Sequence, residues 1–153
     1  MEKKEIKIVG LDLDGTLLTD KKELLPYTKN VIKEALKNGT VVLVATGRPW
    51  TGVPEELREL PGMDYALTAN GARIIETRTG KVLEEHLLSK EAAKKAIAIG
   101  RKYDTLLEVY FDGQGYAQKD EIAQVRKYHK NPNMWDYFLR TRIAVDRLED
   151  LLD

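Results

Sequence analysis

Two short runs, IKIVGL at 6–11 and VVLVA at 41–45, limit the possible folds of this chain more than any other feature. Both are apolar at nearly every position and rich in β-branched residues, the pattern of strands covered on both faces. Between them, PYTKNVIKEALKNG at 26–39 reads as a helix: Pro26 falls in its first turn, Val31, Ile32, Ala35 and Leu36 share one stripe, and Gly39 stops it. A strand, a helix and a second strand in this order form a right-handed crossover between parallel strands. The expected class is α/β, with a Rossmann-like parallel sheet as its core.

The same reading extends along the chain. A helix around 54–60 leads to a third strand, YALTA at 65–69, and then ARIIE and KVLEE flank TRTG as a hairpin. Beyond residue 86 the texture changes. Ser89 is placed to cap a helix running to about Tyr103, LLEVYF at 106–111 reads as a strand, and DGQG reads as a turn. DEIAQVRKYHK then reads as a helix capped by Asp120, NPN as a chain break, and IAVDRLEDLLD as an amphipathic helix. The expected regions are 1–86, a core with its hairpin, and 87–153, a smaller α/β part.

Composition removes several function classes. With 25 Lys and Arg against 25 Asp and Glu the formal net charge is zero, so the chain lacks the positive potential that nucleic acid or an anionic membrane attracts. A small molecule or another protein is the expected partner. The absence of cysteine excludes disulfides, thiolate zinc sites and cysteine nucleophiles, and fits a reducing compartment. Asp12 breaks the first apolar run before it reaches signal-peptide length, and no later run is long enough to span a bilayer. The expected location is cytoplasmic.

Parallel strands joined by a crossover end on one edge of the sheet, the edge where open α/β sheets bind ligands. Asp12 and Asp14 follow the first strand, Thr46, Gly47 and Arg48 the second, and Asn70 and Gly71 the third. Two carboxylates one residue apart in extended backbone point to the same side. An ionised Asp12 can attack phosphorus and bind a hard cation; an Asp14 whose surroundings raise its pKa can hold a proton for a leaving oxygen. Magnesium would offset the repulsion between Asp12 and an anionic substrate. The Thr46 hydroxyl and the N–H groups around Gly15 or Gly47 would bind phosphoryl oxygens.

Plainer readings stand beside this one. The two aspartates with Gly15 suit a simple turn. Asp12, Asp14 and Glu23 match three positions of a calcium loop, but Leu17 stands where that loop needs glycine, and a strand precedes it. A phosphoacceptor receiver would carry its acceptor after the third strand, where this chain has Asn70. Arg48 can be a solvated charge and Asn70–Gly71 a turn. His86 and His129 have no metal-ligand spacing, and Trp50 either shields the site or packs. Tyr103, Tyr110, Phe111, Tyr128, Trp135, Tyr137 and Phe138 are expected to build the core of the second part.

The segments DLDGTLL at 12–18, ATGRP at 45–49 and ANGA at 69–72 resemble the haloacid dehalogenase superfamily, in particular its Cof-type sugar-phosphate phosphatases, whose α/β cap follows the third core strand. The resemblance implies that Asp12 is an aspartyl nucleophile and magnesium ligand. It implies that Asp14 is the acid/base and binds the metal through its main-chain carbonyl. It further implies that Thr46 binds phosphate and that Arg48, Asn70 and Gly71 line the site. On this reading the chain holds part of a core and, from about 87, a partial cap. Family members also carry a phosphate-binding lysine and a late GDxxND motif, and neither can be assigned here. The expected function is magnesium-dependent hydrolysis of small phosphomonoesters through an aspartyl-phosphate. The alternative is a truncated, catalytically incomplete chain that at most binds magnesium or phosphate. In the family's strand order the first strand is central, so its edge would need covering by self-association or by a missing C-terminal half.

Overall fold

The computed structural model describes residues 5–153. They form two compact units, the first ending at His86 and the second spanning Leu87–Asp153. In the first, β1 (Ile8–Leu11), β2 (Val41–Ala45), β3 (Tyr65–Thr68), β4 (Arg73–Glu76) and β5 (Val82–Glu85) make one sheet in the order β1-β2-β3-β4-β5. The pairings β1/β2 and β2/β3 are parallel, and β4 and β5 continue antiparallel as the expected hairpin. The Rossmann-like crossover is present: α1 (Pro26–Lys37) connects β1 to β2, with Pro26 at its start and Ile32 buried. The second helix is short, α2 (Glu55–Arg58), preceded by a 3₁₀ turn at Trp50–Gly52.

The core of this unit gathers Leu13, Leu18, Leu24, Ile32, Val42, Val44, Leu57, Met63, Ala66 and Ile75. Each fully buried aliphatic side chain stabilises the fold by about 1.5–3 kcal/mol. In β2 burial alternates, Val42 and Val44 being inside while Val41 and Leu43 are not. The expectation of strands covered on both faces is therefore corrected for this chain. β1 lies at the sheet edge, with Ile8 64 % exposed. Val31 also departs from the expected stripe of α1 and is exposed.

The second unit opens with α3 (Lys90–Gly100), whose Ser89 cap accepts from the Ala92 N–H at 3.2 Å. A three-stranded sheet follows, β6 (Glu108–Phe111), β7 (Gln114–Gln118) and β8 (Arg142–Val145), with β6/β7 antiparallel and β7/β8 parallel. Several expectations fail here. The turn is Asp112–Gly113 alone, both at positive φ, and Gln114 already belongs to β7. The helix expected at 120–130 begins after Gln118, not at an Asp120 cap, and breaks at Gln124 into α4 (Lys119–Ala123) and α5 (Val125–Tyr128).

NPN opens a helix instead of breaking the chain: the Asn131 side chain accepts from the Asn133 N–H, and Pro132 occupies the first turn of α6 (Pro132–Thr141). Ile143–Val145 are strand, leaving only Glu149–Leu152 as a 3₁₀ turn. Of the seven aromatics, α6 supplies the buried ones, Tyr137 and Phe138, while Tyr103 and Phe111 are exposed. The Arg142 guanidinium faces the Phe138 and Tyr110 rings at 4.6 and 5.2 Å and pairs with Glu108. Gly115 leaves it room, since a Cβ there would stand 2.7 Å from Arg142 Cδ.

Candidate active site

The chain leaves β1 through Asp12, Leu13 and Asp14, and the pleat decides where each side chain goes. Leu13 is fully buried in the core, so the carboxylates on either side of it face outward together. The backbone then turns sharply. Leu18 N–H donates to Leu13 O at 2.9 Å, Leu17 N–H donates to Asp12 O at 3.2 Å, and Gly15 takes φ +81°, a region that favours glycine. The turn returns Thr16 to the strand end, where its hydroxyl donates to Asp12 Oδ2 at 2.7 Å.

Arg48 ties the end of β2 to the end of β1. Its Nε donates to Asp14 Oδ2 and its NH2 to Oδ1, both at 2.7 Å, while NH1 donates to Gly52 O at 2.8 Å. The residue is 7 % exposed. It is a buried fork and not a solvated charge. Lys22 adds a third bond to the same carboxylate, Nζ to Asp14 Oδ1 at 2.7 Å. The Arg48 hydrogen bonds are the largest influence on Asp14; against the opposing effect of burial, and with Lys22, they hold its pKa down from 3.8 to about 2. The condition set for Asp14 as an acid, surroundings that raise its pKa, is not met by these side chains, because they supply two cations.

The end of β3 closes the arrangement. Asn70 N–H donates to Thr46 O at 3.2 Å and Ala69 N–H to Arg48 O at 3.0 Å, and Ala69 and Asn70 both sit at positive φ, 51° and 57°. Two adjacent non-glycine residues in this region are costly, and such strain persists where surrounding bonds over-determine it. Gly71 follows at φ +90°. The side-chain oxygen of Asn70 lies 2.7 Å from where a Cβ on Gly47 would be, so Gly47 is the residue that admits it. Thr46 is buried, and its Oγ1 accepts from the Arg48 N–H at 3.2 Å.

Residues at the three strand ends are therefore linked: Asp14 bonds Arg48, Arg48 bonds Thr46 and Ala69, and Thr46 bonds Asn70. Magnesium takes one or two carboxylates and keeps several waters, and the exposed Asp12 beside Asp14 fits that donor chemistry. Among the described residues no group of three or more His, Asp or Glu side chains is placed to hold a metal. His86 pairs with Glu84, His129 packs against Phe138, and Trp50 packs on the first unit's core.

Sequence reasoning missed Lys22. Its only trace is the polar stretch TDKKE between the buried Leu18 and Leu24, which reads as a turn and gives no sign of which lysine folds back. Thr16 was legible as part of the DGT segment, but its bond to Asp12 depends on the turn geometry.

A family model described as haloacid dehalogenase-like hydrolase matches residues 9–147. The HMP-PP phosphatase of Serratia proteamaculans is 29 % identical over 125 residues, covering 80 % of this chain and 45 % of that protein. The 5-amino-6-(5-phospho-D-ribitylamino)uracil phosphatase YcsE of Bacillus subtilis is 30 % identical over 101 residues, 66 % of this chain and 40 % of that one. A haloacid dehalogenase-like hydrolase structure from B. subtilis superposes with a TM-score of 0.76 at 21 % identity, covering 95 % of this chain and 56 % of its own. The chain spans about half the length of the relatives it matches. No helix among the described residues is long and apolar enough to cross a membrane.

Proposed function

Since this chain belongs to the haloacid dehalogenase-like hydrolases, we propose that its site cleaves phosphomonoesters of small metabolites, such as sugar phosphates, by way of a phosphoryl group carried on Asp12. The observation that carries this reading is the exposed Asp12 carboxylate, oriented by Thr16 and set beside the Asp14–Arg48 fork. An Asp12 oxygen attacks phosphorus as the ester P–O bond breaks, and the departing oxygen takes a proton from Asp14. Water then attacks the aspartyl-phosphate and gives its proton to Asp14; phosphate leaves and the Asp12 carboxylate is restored.

Arg48 and Lys22 hold Asp14 ionised, so to act as an acid it must lose a cation to the phosphoryl group and take up a proton from solvent, which it then gives to the departing oxygen. Thr46 Oγ1 already accepts one bond and keeps its own proton for a phosphoryl oxygen, which the N–H groups of Gly47 and Gly15 would also bind. Arg48 orients Asp14, while Asn70 and Gly71 bound the substrate side. Magnesium held by the Asp12 carboxylate and the Asp14 main-chain carbonyl would neutralise charge between the nucleophile and the ester.

The test is magnesium-dependent phosphate release from p-nitrophenyl phosphate by the 153-residue chain. Release that Asp12→Asn abolishes supports the reading, and release that survives the substitution refutes it. A second reading, binding of magnesium or phosphate without turnover, draws on the finding that no third acidic side chain joins the pair among the described residues. Phosphate binding with no release would favour it.

A further inference from the structure

We propose that Lys22 is a phosphate-binding residue of this site: the cation that leaves Asp14 for an incoming phosphoryl group. The inference rests on the phosphomonoester reading above. A phosphoryl dianion arriving beside Asp12 and Asp14 meets two like charges, and positive groups on its oxygens are what phosphoryl transfer most requires. Two cations are bonded to Asp14, Arg48 and Lys22. Arg48 is buried and held by Gly52 O as well as by both oxygens of Asp14, so it has little freedom to follow a ligand.

Lys22 is built differently. Its ammonium ends a flexible four-carbon stem and carries three donors. It reaches Asp14 from a surface turn, where an ion pair contributes little and a dianion competes well for the cation. The backbone of that turn is unusual: Lys22 stands at φ +65°, although glycine or asparagine would sit there at lower cost.

A closed set of bonds keeps it there. Lys22 N–H donates to Thr19 O at 2.8 Å, Thr19 N–H to Glu23 O at 3.0 Å, and Glu23 N–H to Thr19 Oγ1 at 3.2 Å. Buried Leu18 and Leu24 anchor the two ends. Strain held in place this firmly, at a lysine whose ammonium lies against Asp14, marks a position kept for its charge.

Fluoroberyllate, which bonds a carboxylate oxygen and mimics a phosphoryl group, tests this without turnover. Fluorine NMR follows its titration into the full chain in the presence of magnesium. The wild-type chain is expected to give a bound resonance that Asp12→Asn lacks. Lys22→Asn and Lys22→Gly, both suited to the left-handed region, should need at least about tenfold more fluoroberyllate for half-saturation, and Lys22→Arg no more than about threefold more. Circular dichroism verifies that each variant is folded. An Asp12-dependent resonance that is unchanged in Lys22→Asn and Lys22→Gly overturns the role of Lys22 and leaves the phosphoryl reading standing. No bound resonance in the wild type, or one that survives Asp12→Asn, overturns that reading and the role of Lys22 with it.

Discussion

Arg48 holds both carboxylate oxygens of Asp14 at 2.7 Å, across 34 residues of chain. This fork joins the end of β1 to the end of β2, and bidentate geometry of this kind is specific to arginine. It makes the two strand ends one object, and each member of the pair can be tested against the other.

Removing the guanidinium leaves a half-buried carboxylate with one cation instead of two. Arg48→Met should lower the unfolding free energy of the first unit by about 1–3 kcal/mol, the scale of lost charge-assisted hydrogen bonds, with Arg48→Lys recovering only part. Urea titration of wild type and variants measures this. An unchanged midpoint for Arg48→Met would show that the fork adds no stability.

The depressed pKa of Asp14 has a signed consequence. Its folded value, about 2, lies below the ordinary 3.8, so its contribution to stability is complete above the ordinary value and is lost as pH falls from there through about 2. The wild-type chain should therefore exceed Asp14→Asn in melting temperature near neutral pH, with the gap closing over that window. A gap that is constant from neutral pH down to about 2 contradicts the ion pairing.

Gly47 and Asn70 should behave as a coupled pair. Gly47→Ala places a methyl 2.7 Å from Asn70 Oδ1 and must displace that side chain, whereas Asn70→Gly removes the obstacle and relaxes a left-handed residue. In a double-mutant cycle the loss from Gly47→Ala should be smaller in the Asn70→Gly background. Additive losses in thermal unfolding would mean the two do not touch.

The outer edge of β1 is open among the described residues, with Ile6 66 % and Ile8 64 % exposed. Open apolar edges of this kind recruit other strands. The isolated chain should self-associate in light scattering, and Ile8→Lys should shift it toward monomer. A wild-type chain that stays monomeric at every concentration counts against this.

What the sequence disclosed follows the physics of each unit. In the first, β-branched runs, a proline-started helix and polar strand ends all pointed the same way, and Asp14, Thr46, Arg48 and Asn70, which the structure links by hydrogen bonds, stood among those strand-end residues. The open edge of β1 was anticipated from the family's strand order and not from its composition, because an apolar run is the same whether or not a neighbour covers it. In the second unit, β7 reads QGYAQ, with small Gly115 and Ala117 facing inward. Those residues resemble a loop in sequence, and their smallness makes sense only once Arg142 is seen lying over Gly115. The segment at Ile143 had helical amphipathicity, yet pairing with β7 drew it into a strand. Lys22 escaped notice because its role depends on one positive φ, which no spacing rule encodes.

The burial of Leu13 between Asp12 and Asp14 has a further consequence. The separation of the two acids is set by the pleat of the chain and fixed by a side chain that never meets a ligand. A one-residue insertion or deletion at this point would send a carboxylate into oil and a leucine into water. Misfolding and loss of chemistry would then arise from a single lesion, so a lineage under pressure to fold would preserve the spacing of its acids even in a period when nothing selected for the reaction.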